Sequence, residues 1–132
     1  MGAALKRAEE MLDFVGMPGC GDSEGTGMSY GAQRKLEIAR ALMTDPCLLL
    51  LDEPAAGMNP TEKESLRKLV QTIAGKGIGI LVIEHDMKFV MNLCSRITVL
   101  DHGEVICVGD PAKVQSDTAV IEAYLGVEES HG

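Results

Sequence analysis

Two carboxylates stand side by side at the end of an apolar run in Leu48-Leu49-Leu50-Leu51-Asp52-Glu53-Pro54, and a histidine follows a second run, Ile78 to Ile83, in Glu84-His85-Asp86. Adjacent acids suit a hard cation and a general base. One can orient the water shell of a divalent ion while the other polarises an attacking water. A histidine nearby can position that water and stabilise developing charge. A turn capped by two acids fits the isolated string equally well, and a lone histidine fits a helix cap. The elements that carry these residues decide between the readings.

The leucine run lies between Pro46 and Pro54 and is too short for a stable helix, so it reads as a strand covered on both faces, as strands of parallel sheets are. Asn59-Pro60-Thr61-Glu62 then supplies an N-cap, a proline at the first helical position and an acid at the third. The helix that starts there has Leu66, Leu69, Val70 and Ile73 on one face and ends at Gly75-Lys76-Gly77. Strand, helix, strand demands a right-handed parallel crossover. Ligands bind beyond the carboxyl ends of such strands, so Asp52, Glu53 and His85 are expected to converge on one rim.

Upstream, Ala4, Ala8, Met11, Leu12 and Val15 recur at helical spacing, and a glycine-rich connector runs from Gly16 to Gly27. Ser29 is an N-cap for a helix to about Met43, with Leu36, Ala39, Leu42 and Met43 on one face. Ser29, Tyr30 and Gly31 thus offer backbone N–H groups and the positive end of a helix dipole to a phosphate, and a plain cap is the competing reading. Downstream, a short helix covers Asp86 to Leu93. Strands Ile97 to Leu100 and Glu104 to Val108 flank a turn at Asp101-His102-Gly103, and Asp110-Pro111 and Asp117-Thr118 open two small helices.

At 132 residues and net charge −8, without a basic cluster and with aromatics limited to Phe14, Tyr30, Phe89 and Tyr124, the chain has neither the charge nor the stacking platform for nucleic acid. Cys20, Cys47, Cys94 and Cys107 form no metal-ligand spacing and read as small core residues. No apolar run approaches the length of a membrane span.

From Ser29 to about Gly126 the residues resemble the nucleotide-binding subunit of ATP-binding cassette transporters. Met28-Ser29-Tyr30-Gly31-Ala32-Gln33 is similar to the signature motif, Leu48 to Glu53 to Walker B, Ala56-Gly57-Met58-Asn59 to the D-loop and His85 to the switch histidine. Ala55 to Pro60, Ile83 to Met87 and Val120 to Gly126 are most similar to the branched-chain amino acid importers. The departures are Ala32 in place of the signature glutamine and Asn59 in place of the D-loop aspartate.

The resemblance implies an α/β fold: part of a P-loop NTPase of the ABC ATPase type, with a parallel βαβ core, a segment of the helical signature subdomain over 1–45, and the C-terminal part of the ATPase core over 46–132. A hairpin and helices close the chain. It implies ATP and Mg²⁺ as cofactors, with Asp52 toward the metal, Glu53 and His85 catalytic, and Ser29, Tyr30, Gly31 and Asn59 toward nucleotide. A second ATPase subunit and transmembrane permease subunits are the implied partners, at the cytoplasmic face of the inner membrane. No G-x-x-x-x-G-K-[ST] occurs, so the expectation is a C-terminal fragment without its P-loop strand, inactive alone, whose remaining strands close ranks, are exchanged between chains or order only partly. A non-catalytic interaction module is the alternative.

Overall fold

The computed structural model describes residues 2–17 and 29–125. Most of the glycine-rich connector, Cys20, Met28 and Gly126 lie outside them. The chain divides into two compact units, Met1–Glu84 and His85–Gly132.

The first unit begins with α1 (Gly2–Phe14) and α2 (Tyr30–Leu42), which pack on each other. Arg7 pairs with Asp45 and bonds the Leu42 carbonyl, fastening α1 to the end of α2. Next come β1 (Leu48–Asp52), α3 (Pro60–Gly75) and β2 (Gly79–Ile83). The strands pair in parallel from Leu48↔Gly79 to Asp52↔Ile83, the expected parallel pairing. Asn59 caps α3 in a reciprocal box with Glu62, and all four residues expected on its buried face, Leu66, Leu69, Val70 and Ile73, are buried.

One expectation fails here. Leu49 and Leu51 are buried, but Leu48 and Leu50 are 58% and 57% exposed, and Leu81 and Ile83 on β2 are half exposed. The leucine run is covered on one face, not two. A single crossover supplies a single helix, α3, and a parallel sheet gains its second cover only from further crossovers.

The second unit holds α4 (Met87–Leu93), the antiparallel β3 (Ile97–Asp101) and β4 (Glu104–Gly109), α5 (Pro111–Ser116), α6 (Thr118–Val120) and a π-turn over Ile121–Leu125. Positive φ at His102 and Gly103 marks the mirror-image turn that matches hairpin twist. A bulge leaves Ile106 as the extra residue between the pairs Val99↔Cys107 and Leu100↔Val105. Met87, Val90, Ile97, Val99, Val114 and Val120 form the core around Cys107, and the Tyr124 hydroxyl donates to the Leu100 carbonyl. Burial, and then the Asp117 carboxylate, push the Cys107 thiol up, and burial does the same for Cys94. Cys47, expected in the core, is exposed.

Among the described residues β1 pairs only with β2, and β3 only with β4. No described helix is long and apolar enough to cross a membrane.

β1 ends abruptly because Glu53 takes φ 48°, a left-handed conformation that a glutamate adopts only at a cost of about 1–2 kcal/mol. Glu53→Gly should therefore leave the unfolding free energy from urea titration within about 1 kcal/mol of the parent, since relieved strain offsets glycine's extra unfolded-state freedom. Glu53→Val should fall about 1–2 kcal/mol below Glu53→Gly. The two faces of β1 predict a second contrast in the same assay. Leu51→Ala should cost about 2–5 kcal/mol and Leu50→Ala less than about 1 kcal/mol.

Candidate functional site

Asp52 is the last residue of β1, opposite Ile83, and the parallel ladder continues one step further through the Glu53 N–H, which donates to the Ile83 carbonyl at 2.7 Å. Both acids are exposed, while the next two residues, Pro54 and Ala55, are buried. The backbone therefore dives inward directly after the acids and leaves their side chains at the rim. Glu84, one residue past β2, fixes that turn: its Oε2 accepts from the Ala55 N–H at 3.1 Å. Bonds from Ala56 N–H to the Glu53 carbonyl and from Met58 N–H to the Ala55 carbonyl, both 3.2 Å, wind the segment onward to Asn59.

The signature-like turn lies against this segment. Ser29 caps α2 in an extended conformation, and its Oγ accepts from the Ala32 N–H at 3.1 Å. The Gly31 N–H donates to Glu62 Oε2 at 2.9 Å. Tyr30 is 65% exposed, and its ring lies over Gly57, where a Cβ would come within 3.1 Å of it. Gly57 also has φ +76°, so a side chain there meets both strain and the tyrosine. One turn along α2, Arg34 bonds Glu37 at 2.9 Å and reaches the Glu53 carbonyl at 3.5 Å. A cleft of about 320 Å³ is lined in part by Ser29, Gly31, Lys35, Thr61, Glu62 and Ser65.

The first unit thus gathers Ser29, Tyr30 and Gly31 with the turn that carries Glu53 and the cap residue Asn59. His85 is exposed and opens the second unit, and the next residue, Asp86, caps α4 by accepting from the Phe89 N–H at 3.1 Å. Sequence reading missed three residues that organise the rim. Glu62 was legible as a helix cap but not as a partner of Gly31. Glu84 was visible only as a polar residue after a strand. Arg34 carried no signal at all, because its contact with Glu53 joins residues that only the fold brings together.

Among the described residues no group of three or more His, Cys, Asp or Glu side chains could hold a metal ion. The donor set, one exposed aspartate at a strand end, is what Mg²⁺ uses when phosphate oxygens and waters complete its shell. It fits a nucleotide-borne Mg²⁺ and not a protein-made cage. Phosphate itself is suited by the first turn of α2, a 13-residue helix with glycine in that turn.

Residues 3–56 match the family model for ABC transporters, and residues 104–130 match that for branched-chain amino acid ATP-binding cassette transporters. The chain is 42% identical over 124 residues to the high-affinity branched-chain amino acid transport ATP-binding protein LivG of Salmonella typhimurium, covering 93% of this chain and 49% of LivG. It is 40% identical over the same length to BraF of Pseudomonas aeruginosa, named for the same transport, with equal coverage. Among solved structures, the ADP conformation of MJ1267, an ATP-binding cassette of an ABC transporter, superposes with a TM-score of 0.86 at 32% identity, covering 94% of this chain and 50% of that one. The chain spans about half the length of the relatives it matches. By its motif order, its fold and these similarities, the chain is similar to the ATP-binding cassettes of ABC transporters, and among them to the branched-chain amino acid ATP-binding proteins LivG and BraF.

Proposed function

We propose that this chain contributes the signature, Walker B, D-loop and switch elements of an ATP-hydrolysing subunit that drives import of branched-chain amino acids. The observation that carries the reading is the strand end itself. A four-leucine strand delivers Asp52 and Glu53 to the rim, and the signature-like turn lies against the segment that follows. In this reading Asp52 orients a Mg²⁺ that arrives with ATP, which supplies charge neutralisation at the phosphates when bound. Glu53 accepts a proton from the attacking water, its backbone pinned to Ile83 and its carbonyl touched by Arg34. His85 orients that water and contacts the γ-phosphate.

Ser29, Tyr30 and Gly31 present backbone N–H groups and the helix dipole to the nucleotide of a second ATPase subunit, and Asn59 takes the D-loop place beside them. The C-terminal part of the ATPase core over 46–132 and the helical signature segment over 1–45 divide these tasks. The partners are that second subunit and permease subunits, with the protein peripheral on the cytoplasmic face of the inner membrane. No substrate amino acid touches these residues, so selection lies with other subunits.

The test is a chimaera in which this chain replaces the matching 124-residue segment of LivG. Mg²⁺-dependent ATP hydrolysis should be retained, and Glu53→Gln should lower kcat by about 10²–10⁴-fold with KM little changed. The chain alone should show no hydrolysis, since its 132 residues hold no G-x-x-x-x-G-K-[ST]. Glu53-independent hydrolysis in the chimaera would sink the proposal.

A further inference from the structure

The carboxylate of Glu62 serves two helices at once. Oε1 accepts from the Asn59 N–H at 3.3 Å and completes the reciprocal cap of α3. Oε2 accepts from the Gly31 N–H at 2.9 Å, in the first turn of α2. A capping box needs only the first of these bonds. The second joins residues 31 positions apart and is not part of any local motif.

Resting on the reading above, in which this turn faces phosphate, we propose that Glu62 is an internal occupant of the signature turn. In the free chain its carboxylate holds the Gly31 N–H that a phosphate oxygen takes in the liganded state. Phosphate binding therefore has to displace it.

The geometry supports occupation in three ways. A carboxylate oxygen on a backbone N–H at a helix N-terminus is the same charge-assisted contact that a phosphate oxygen makes, so the two compete for one donor. The neighbouring donor is not spare either, because the Ala32 N–H is taken by Ser29 Oγ. The glycine, finally, accommodates the acid: a Cβ on Gly31 would lie 2.3 Å from Glu62 Oε2 and 3.1 Å from its Cδ. Because the same side chain caps α3 through Asn59, its release from Gly31 is felt at the D-loop position. Occupancy of the signature turn and the state of the α3 cap are thereby linked through one residue.

The experiment is an NMR titration of the ¹⁵N-labelled full chain with inorganic triphosphate, without Mg²⁺, followed at the Gly31, Ala32 and Asn59 amides in wild type, Glu62→Gln and Glu62→Ala. Glutamine has one acceptor oxygen and no charge. It can keep the α3 box but cannot also hold Gly31 as the carboxylate does. Triphosphate should bind both variants about tenfold more tightly than wild type, read at Gly31 and Ala32. In wild type the Asn59 amide should shift with the same midpoint as Gly31, as Glu62 lets go.

Equal or weaker binding in the variants overturns the proposal, and so does a wild-type Gly31 shift without one at Asn59. The glutamine variant and the wild-type comparison carry the test if Glu62→Ala does not fold. Absence of any Gly31 or Ala32 response in all three proteins overturns the phosphate reading of the turn, and the latch with it.

Discussion

The parallel pairing of β1 with β2 is the constraint on which the first unit depends. Five residue pairs in register, extended by the Glu53 N–H to the Ile83 carbonyl, place the end of one strand beside the end of the other to within a residue. A slip of one would turn Leu49 and Leu51 outward and send Asp52 to the opposite face. The crossover helix secures the register from the other side: α3 is capped at both functional groups of Asn59 and buries one unbroken apolar face. The chemistry at the rim is therefore set by hydrophobic burial, and the acids ride on the strand that burial positions.

The acids sit in a rim with an excess of negative charge. Asp52, Glu53, Glu62 and Glu84 all lie on the segments that form it, while Arg34 reaches the Glu53 carbonyl and Lys35 lines the neighbouring cleft. A divalent ion that offsets the carboxylates, and backbone N–H groups, are two routes by which an anion meets such a surface. Both routes are represented, by Asp52 at the strand end and by the first turn of α2. The net charge of −8 thus has a local counterpart at the site, and it favours contacts that carry their own cation.

Much of this was legible before the fold. Local grammar gave the elements because each boundary has a short-range cause: Ser29, Asn59, Asp86, Asp110 and Asp117 all cap the helices that follow them. The four buried positions of α3 follow from the 3.6-residue period alone. The burial of β1 was misread because an all-apolar strand states that both faces can be covered and says nothing about whether covering helices are present. Cys47 was misplaced for the same reason, since it adjoins that run. The contacts of Glu62, Glu84 and Arg34 were illegible because they join positions 31, 29 and 19 residues apart, and no periodicity reports such pairings.

The strained backbone at Glu53 follows from the same arrangement. A strand that continued straight past Asp52 would carry the next side chain on along the ladder, whereas a left-handed residue turns the chain sharply and lets Pro54 and Ala55 reach the interior. Glycine or asparagine would make that turn at less cost. Glutamate at such a position means that the strain is offset by the surrounding bonds, from Glu53 N–H to Ile83, from Ala55 N–H to Glu84 and from Ala56 N–H back to the Glu53 carbonyl. Those bonds hold the backbone and leave the carboxylate outside. Strain of this kind, at the end of a strand and beside a second acid, supports the proposal that Glu53 serves through its side chain.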